Sequence, residues 1–186
     1  MRHTGRTDLP LTPEGEDQAR AAGADLRAQE AWREPQLVLC SPLQRARRTA
    51  ELAGLADDTT ATREIDPDLV EWDYGRWEGR TTAEIREELG NPDWLVWDFP
   101  IEPGGTPGEQ LEDVAARAAR VIARCEPVLA AGGDCVLIAH GHFLRILTAT
   151  WLSMPPIAGR RFALAAARVS ALGFEHETRV ITLWNA

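Results

Sequence analysis

Cys135-Val136-Leu137-Ile138-Ala139-His140-Gly141-His142-Phe143-Leu144-Arg145 is the stretch on which the reading of this chain turns. A short β-branched and aliphatic run stops at a histidine, a glycine follows, and an amphipathic pattern begins. That order describes a buried parallel strand handing over to a helix, with His140 at the carboxyl end of the strand. Ligands of open α/β sheets bind at that edge. Gly141 lets the backbone approach a ligand closely, and the start of the helix offers N–H groups to an anion. Two readings of His140 are open: a histidine facing a ligand, or a core histidine bonded to backbone. His142 is either a second donor in the pocket or a residue capping the helix.

Outward from this stretch the chain alternates helix and strand. Thr12-Pro13 reads as an N-cap with proline at the first helical position, opening a helix to about residue 30. Its core face is Ala19, Ala22 and Leu26, with Ala21 and Ala24 beside it. Residues 36–40 form a buried strand, and Ser41-Pro42 ends it and starts a helix through about residue 55. Residues 56–80 are loop-rich, with a short strand near 61–65. Thr81 caps a short helix to about Leu89, and Asn91-Pro92 opens another helical piece carrying Trp94 and Trp97. Residues 100–107 are a Pro/Gly loop long enough for a lid or binding loop. The helix over about 108–131 carries Leu111, Val114, Ala118, Val121, Ile122, Cys125, Val128 and Leu129 on one stripe. Residues 169–174 and 179–184 read as a terminal hairpin.

The 186 residues are 44% hydrophobic and 26% charged, which suits a single globular domain with a substantial core. A net charge of −9 argues against broad binding to nucleic acid or an anionic membrane. A few arginines in one cleft still suit an anionic small substrate. Cys40, Cys125 and Cys135 are far apart and odd in number. They read as reduced thiols of a cytoplasmic protein, not as a disulfide framework or a zinc site. No signal peptide and no apolar run long enough for a membrane span is expected.

Three further segments carry chemistry. Ser41-Pro42-Leu43-Gln44-Arg45-Ala46-Arg47-Arg48 lies at a second strand-to-helix junction. Arginine there opposes the helix dipole, and an anion at the same helix start would remove the conflict. Arg47 and Arg48 are equally readable as solvated surface. Glu71-Trp72-Asp73-Tyr74-Gly75 packs acids among aromatic rings, surroundings that favour a general acid, against the plainer reading of solvated loop acids. Arg2-His3-Thr4-Gly5-Arg6 is rich in donors, but its terminal position predicts fraying. A His-x-His pair can bind metal, yet His140 and His142 have no third ligand at motif spacing, so no metal site is expected.

Arg45 in Ser-Pro-Leu-Gln-Arg-Ala, Glu71 in Glu-Trp-Asp-Tyr-Gly and His140 in Ala-His-Gly-His-Phe resemble, in order and spacing, three landmarks of the histidine phosphatase superfamily, the phosphoglycerate-mutase-like group. The similarity covers nearly the whole chain and looks most like the small acid phosphatases and the sedoheptulose-bisphosphatase-like branch. It implies an α/β three-layer sandwich with a mostly parallel central sheet. Family members carry Arg-His-Gly at the end of their first strand, and that histidine is the nucleophile. Arg2-His3-Thr4 is not read as this signature, because only Met1 precedes it in the sequence. Residues 4–12 resemble the family's substrate loop, which lies downstream of Arg-His-Gly. On this register residues 1–186 are a single domain lacking its first strand and nucleophile. The expected gap is about fifteen to twenty residues, from a misassigned start codon or a truncated gene.

The resemblance implies nucleophilic catalysis through a phosphohistidine. Arg45 and His140 would hold phosphoryl oxygens, and Glu71 would protonate the leaving oxygen and then activate water. Thr4, Gly5, Gly141 and His142 would contact substrate or phosphate. Arginines and histidines supply the positive field, so no metal and no cofactor is expected. The expectation is a cytoplasmic phosphatase acting on a small phosphorylated metabolite, impaired in this chain for want of the nucleophile. Seven tryptophans make a homodimer through an apolar surface plausible. A phosphoglycerate mutase and a catalytically dead phosphoester-binding or scaffold protein are the alternatives. The short connection from Glu71 to the long helix favours the phosphatase.

Overall fold

The computed structural model describes residues 2–56 and 61–186; residues 57–60, part of the expected loop-rich stretch, lie outside the described residues. Three parallel strands, β1 (Leu37–Cys40), β2 (Thr62–Ile65) and β3 (Cys135–Ile138), form a sheet of order β2–β1–β3. Leu37 pairs with Thr62 and Cys135, and Cys40 pairs with Ile65 and Ile138. The hairpin β4 (Ala171–Glu175) and β5 (Thr178–Leu183) is a separate antiparallel sheet.

Side chains of β1 alternate between two cores, as strand geometry requires. Leu37 and Leu39 join Val114, Ala118 and Val121 of α4 (Leu111–Ala130) and Phe143, Ile146 and Leu147 of α5 (Gly141–Trp151). Val38 and Cys40 join Ala46 and Ala50 of α2 (Gln44–Leu52), with Leu26 of α1 (Pro13–Ala28) at the margin. The sheet is therefore covered on both faces, the expected α/β sandwich. Burial on both faces also explains why Leu-Val-Leu-Cys reads as a continuous apolar run. β3 is as apolar as β1 but half-exposed over residues 135–137, because among the described residues it has one neighbouring strand.

Local signals place most helix starts. Thr12 accepts the Gly15 N–H at 3.1 Å with Pro13 at the first position of α1. Thr81 and Glu84 form a reciprocal capping box on α3 (Thr82–Leu89). Two expectations fail. Residues around Asn91-Pro92 form separate turns, with Trp94 bonded to Asn91 and Asp98 to Leu95, not a helix. Trp94 and Trp97 are buried in the core from these turns. The second concerns the inner face of α1: Ala19 is buried and Leu26 packs on the core as expected, but the flanking Ala21 and Ala24 are exposed and Gly23 is buried instead. At Gly23 the helix meets the end of α2, so a Cβ there would lie 2.6 Å from both Cα and O of Ala53. Arg27, one turn on, donates to the carbonyls of Ala53 and Gly54 at 2.8 Å each, satisfying the end of α2.

Gly23 therefore reverses the usual helix rule. Alanine normally gains about 1 kcal/mol over glycine inside a helix. Gly23→Ala is expected instead to destabilise by about 1–3 kcal/mol through overpacking, read from urea unfolding. Gly15→Ala, whose Cβ would meet Thr12 Oγ1 at 3.4 Å, is the control and should be neutral or stabilising. Equal stability of the two variants would refute this contact.

Candidate active site

Because β1 and β3 are parallel neighbours with Cys40 opposite Ile138, the residues leaving their carboxyl ends meet. His140 Nε2 lies 2.8 Å from Ser41 Oγ. Arg45 Nε donates to His140 Nδ1 at 3.2 Å. Arginine only donates, so Nδ1 is the acceptor, and the neutral ring carries its hydrogen on Nε2 and gives it to Ser41. His140 is thus a buried histidine with both nitrogens bonded, but to side chains, one of them the candidate phosphate arginine. The other arms of Arg45 donate to the carbonyls of Thr7 and Thr4, each at 2.9 Å.

Glu71 is 7% exposed and completes the cluster. Its Oε1 accepts the N–H groups of Trp72 at 2.9 Å and Phe143 at 2.8 Å, and its Oε2 accepts that of His142 at 3.0 Å. His142 and Phe143 begin α5, so the anion expected at this helix start is Glu71 itself. The expectation that aromatic rings dominate the carboxyl's surroundings needs correcting: the oxygens face the backbone N–H groups of Trp72, His142 and Phe143. At α2 the same device recurs. Asp8 Oδ1 accepts the Gln44 N–H at 2.8 Å and offsets the arginines of the first turn. Arg48 pairs with Glu16 and Glu51 at the surface and Arg47 is exposed, so of the three arginines Arg45 alone turns to His140.

The remaining candidates divide. Thr4 contributes its carbonyl to Arg45. Gly5 is buried where a Cβ would collide with the Trp72 carbonyl, and its N–H donates to Glu78 at 3.1 Å. Arg6 and Thr7 also donate their N–H groups to Glu78, at 2.9 and 2.8 Å. Residues 4–7 therefore form a strap across Arg45, with their donors turned away from His140. Gly141 is exposed, and beyond its chain neighbours and its own helix backbone no described atom lies within 4 Å of a Cβ built there, so no tertiary contact demands glycine. His142 sets its ring Nδ1 2.6 Å from the Tyr74 hydroxyl.

The terminus is not frayed as expected. Arg2 bridges to Thr81, and His3 exchanges backbone bonds with Arg80 and Gly79 at 2.8 and 2.7 Å. His3 Nε2 lies 3.2 Å from Thr82 Oγ1, and its ring packs by Tyr74. The loop over 100–107 is anchored too. Thr106 bonds the buried Asp73, and the Glu102 carbonyl accepts the Arg76 N–H at 2.9 Å.

Sequence reasoning assigns no role to Ser41, Tyr74, Glu109 or Arg117, although Ser41 and Tyr74 lie within the segments quoted above. Arg117 is buried, donates to the Val70 carbonyl at 3.0 Å and pairs with Glu109 at 2.7 Å. Glu109 in turn accepts the Asp73 N–H at 3.0 Å and, through its carbonyl, the Trp72 indole N–H at 2.7 Å. One signal was available: Arg117 sits three residues after Val114 and four before Val121, on the apolar stripe itself. Among the described residues no group of three or more His, Cys, Asp or Glu side chains is arranged to hold a metal, and no helix is long and apolar enough to cross a membrane.

Comparisons with known proteins show the family and the fold. A model of the histidine phosphatase superfamily (branch 1) matches residues 1–186. An acid phosphatase of Mycobacterium tuberculosis is 38% identical over 182 residues, covering 98% of this chain and 83% of that protein. A sedoheptulose 1,7-bisphosphatase of Saccharomyces cerevisiae is 33% identical over 171 residues, covering 82% of this chain and 62% of that protein. The solved structure of a Mycobacterium tuberculosis open reading frame superposes with a TM-score of 0.83 at 37% identity, over 99% of this chain and 88% of its own.

Burial pulls His3, His140 and His142 each from the ordinary 6.5 to about 4; His142 and Arg145 oppose protonation further at His3 and His142 respectively, while Glu71 partly offsets the effect at His3 and His140. The unfolded chain then binds more protons than the folded one between those values, so stability is full above about 6.5 and falls as pH drops toward 4. The thermal midpoint should fall across this window, and His140→Gln should flatten the slope from pH 6.5 to 5, above the range of ordinary carboxylates. A level wild-type profile there would contradict neutral burial of these rings.

Proposed function

Because the chain belongs to the histidine phosphatase superfamily (branch 1), we propose that it binds small phosphomonoesters between Arg45, His140 and Glu71, in a pocket suited to phosphatase chemistry through a phosphohistidine. The observation that carries this reading is the Arg45–His140 contact beside a carboxylate held by the first turn of α5. A guanidinium has five N–H groups and three are engaged here, leaving one on each terminal nitrogen for phosphoryl oxygens. A phosphate oxygen competes with Ser41 for the His140 N–H and with Thr4 and Thr7 for Arg45. In the full reaction an imidazole nitrogen bonds to phosphorus as the ester P–O bond breaks. Glu71 gives the leaving oxygen its proton and then takes one from the water that cleaves the P–N bond.

The proposal includes an impairment. His140 has both ring nitrogens bonded, and His3 is bonded to Thr82 rather than carried on a strand of the sheet. His140 offers no free ring nitrogen, and His3 makes no hydrogen bond to Arg45 or His140 among the described residues. Binding without turnover is therefore the expected behaviour of these residues. Relatives named as phosphoglycerate mutases also match, at 29% identity in one case, and keep phosphotransfer as a second reading.

Orthovanadate binding and hydrolysis of an aryl phosphate, with rapid acid quench, test the proposal. Vanadate should bind, and Arg45→Ala should weaken it by on the order of 100-fold, typical for one oxyanion donor. Arg47→Ala and Arg48→Ala should change it by only a few-fold. Hydrolysis should be slight and no phosphoenzyme trapped. Turnover abolished by His3→Ala would make His3 the nucleophile; absence of vanadate binding would remove the phosphate pocket; a dominant effect of Arg48 would show the register to be wrong.

A further inference from the structure

The family resemblance gives His142 a contact with substrate or phosphate but assigns no role to Tyr74, the residue bonded to its ring. Tyr74 is 2% exposed, and its hydroxyl lies 2.6 Å from His142 Nδ1. Burial holds the phenol well above its ordinary range, with Glu71 adding to the effect, so the hydroxyl keeps its proton. A phenol that keeps its proton needs an acceptor, and Nδ1 is the one within reach. The ring is held on several sides: Trp97 meets it edge-on at 5.0 Å, Trp72 at 6.0 Å, and His3 stacks at 6.3 Å. Trp97 also carries the Arg145 guanidinium 4.7 Å from its ring centre, a cation that opposes protonation of His142.

The other nitrogen is free. His142 Nε2 has no protein partner among the described residues. No fully buried side-chain nitrogen or oxygen there lacks a partner, so Nε2 is reached from solvent. The same residue's main-chain N–H holds Glu71 at 3.0 Å, which puts this open nitrogen in the first turn of α5 beside the acid–base carboxylate.

We infer that Tyr74 sets His142 in its Nε2–H form, making it a neutral hydrogen-bond donor to a phosphoryl or ester oxygen, while Tyr74 itself is a positioning residue that does not touch substrate. The inference rests on the phosphoester pocket proposed above. A neutral donor recognises the oxygen without adding a charge that would bind the leaving alcohol's own anionic groups. This separates His142 from Arg45, which clamps by charge.

Long-range nitrogen–proton correlation spectra of the imidazole test the first half without any ligand. Wild type at pH 7 should show a protonated Nε2 and a bare Nδ1 for His142, and Tyr74→Phe should mix the two forms. A protonated Nδ1 in wild type, or an unchanged pattern in Tyr74→Phe, overturns it. Vanadate affinity tests the second half. The amide nitrogen of His142→Gln overlays Nε2, and that of His142→Asn overlays Nδ1. Gln should keep the affinity within a few-fold, and Asn should lose roughly tenfold, the scale of one hydrogen bond to a charged group. Equal losses overturn the donor role, and these two variants decide it even if Tyr74→Phe fails to fold. If wild type binds no vanadate, the phosphoester pocket and the donor role fall together, while the spectra still decide the tautomer.

Discussion

The Glu71 carboxylate ties its loop to the start of a helix distant in the sequence. The first N–H groups of a helix have no partner within it. In α5 two of them end on Glu71, from a loop about seventy residues earlier in the chain. That loop is held from the far side by Arg117 of α4, which grips the carbonyl of Val70, with its charge met by Glu109. Glu109 also takes the N–H of Asp73 and the indole of Trp72. The order of dependence runs from α4 through Arg117 to the loop, from the loop through Glu71 to α5, and from α5 to the backbone of His140. Removing one member of a buried pair such as Arg117–Glu109 costs about 3–5 kcal/mol, because the other charge is left uncompensated.

Electrostatically the site is already occupied by the protein. Asp8 sits on α2, Glu71 on α5 and Glu78 on the N–H groups of residues 5–7. In a chain of net charge −9, these acids neutralise the donors that would otherwise attract any passing anion. The Arg45 guanidinium is bonded to two neutral carbonyls and an imidazole, with no acid paired to it among the described residues. Because the guanidinium is ionised, its bonds to these carbonyls are charge-assisted and stronger than neutral ones. Little of the positive field at these helix starts is therefore left open.

What was legible in the sequence was local, or marked by a motif. The cap at Thr12-Pro13, the box at Thr81, the apolar strands and the stripe of α4 all depend on neighbours within a few residues. The convergence of Arg45, Glu71 and His140 came from family resemblance, and the parallel pairing of β1 and β3 supplies its physical reason. Contacts between distant residues were not legible. Nothing in the string says that Asp8 caps a helix beginning at Gln44, or that Gly23, inside an alanine-rich helix, is the point of closest approach to Ala53. The misread helix near Asn91 has the same origin. Trp94 and Trp97 satisfied a helical spacing, but each fills the core from its own turn.

The aromatic wall has an optical consequence. Of the seven tryptophans, Trp97 and Trp72 lie edge-on to the His142 ring, and Trp94 lies edge-on to His3 at 6.1 Å. A charged imidazolium draws electrons from an excited indole and dims its emission far more than a neutral ring does. Indole emission is also sensitive to nearby charge and to the entry of water. These tryptophans therefore report on their neighbours: protonation of either histidine alters light from indoles already packed against it.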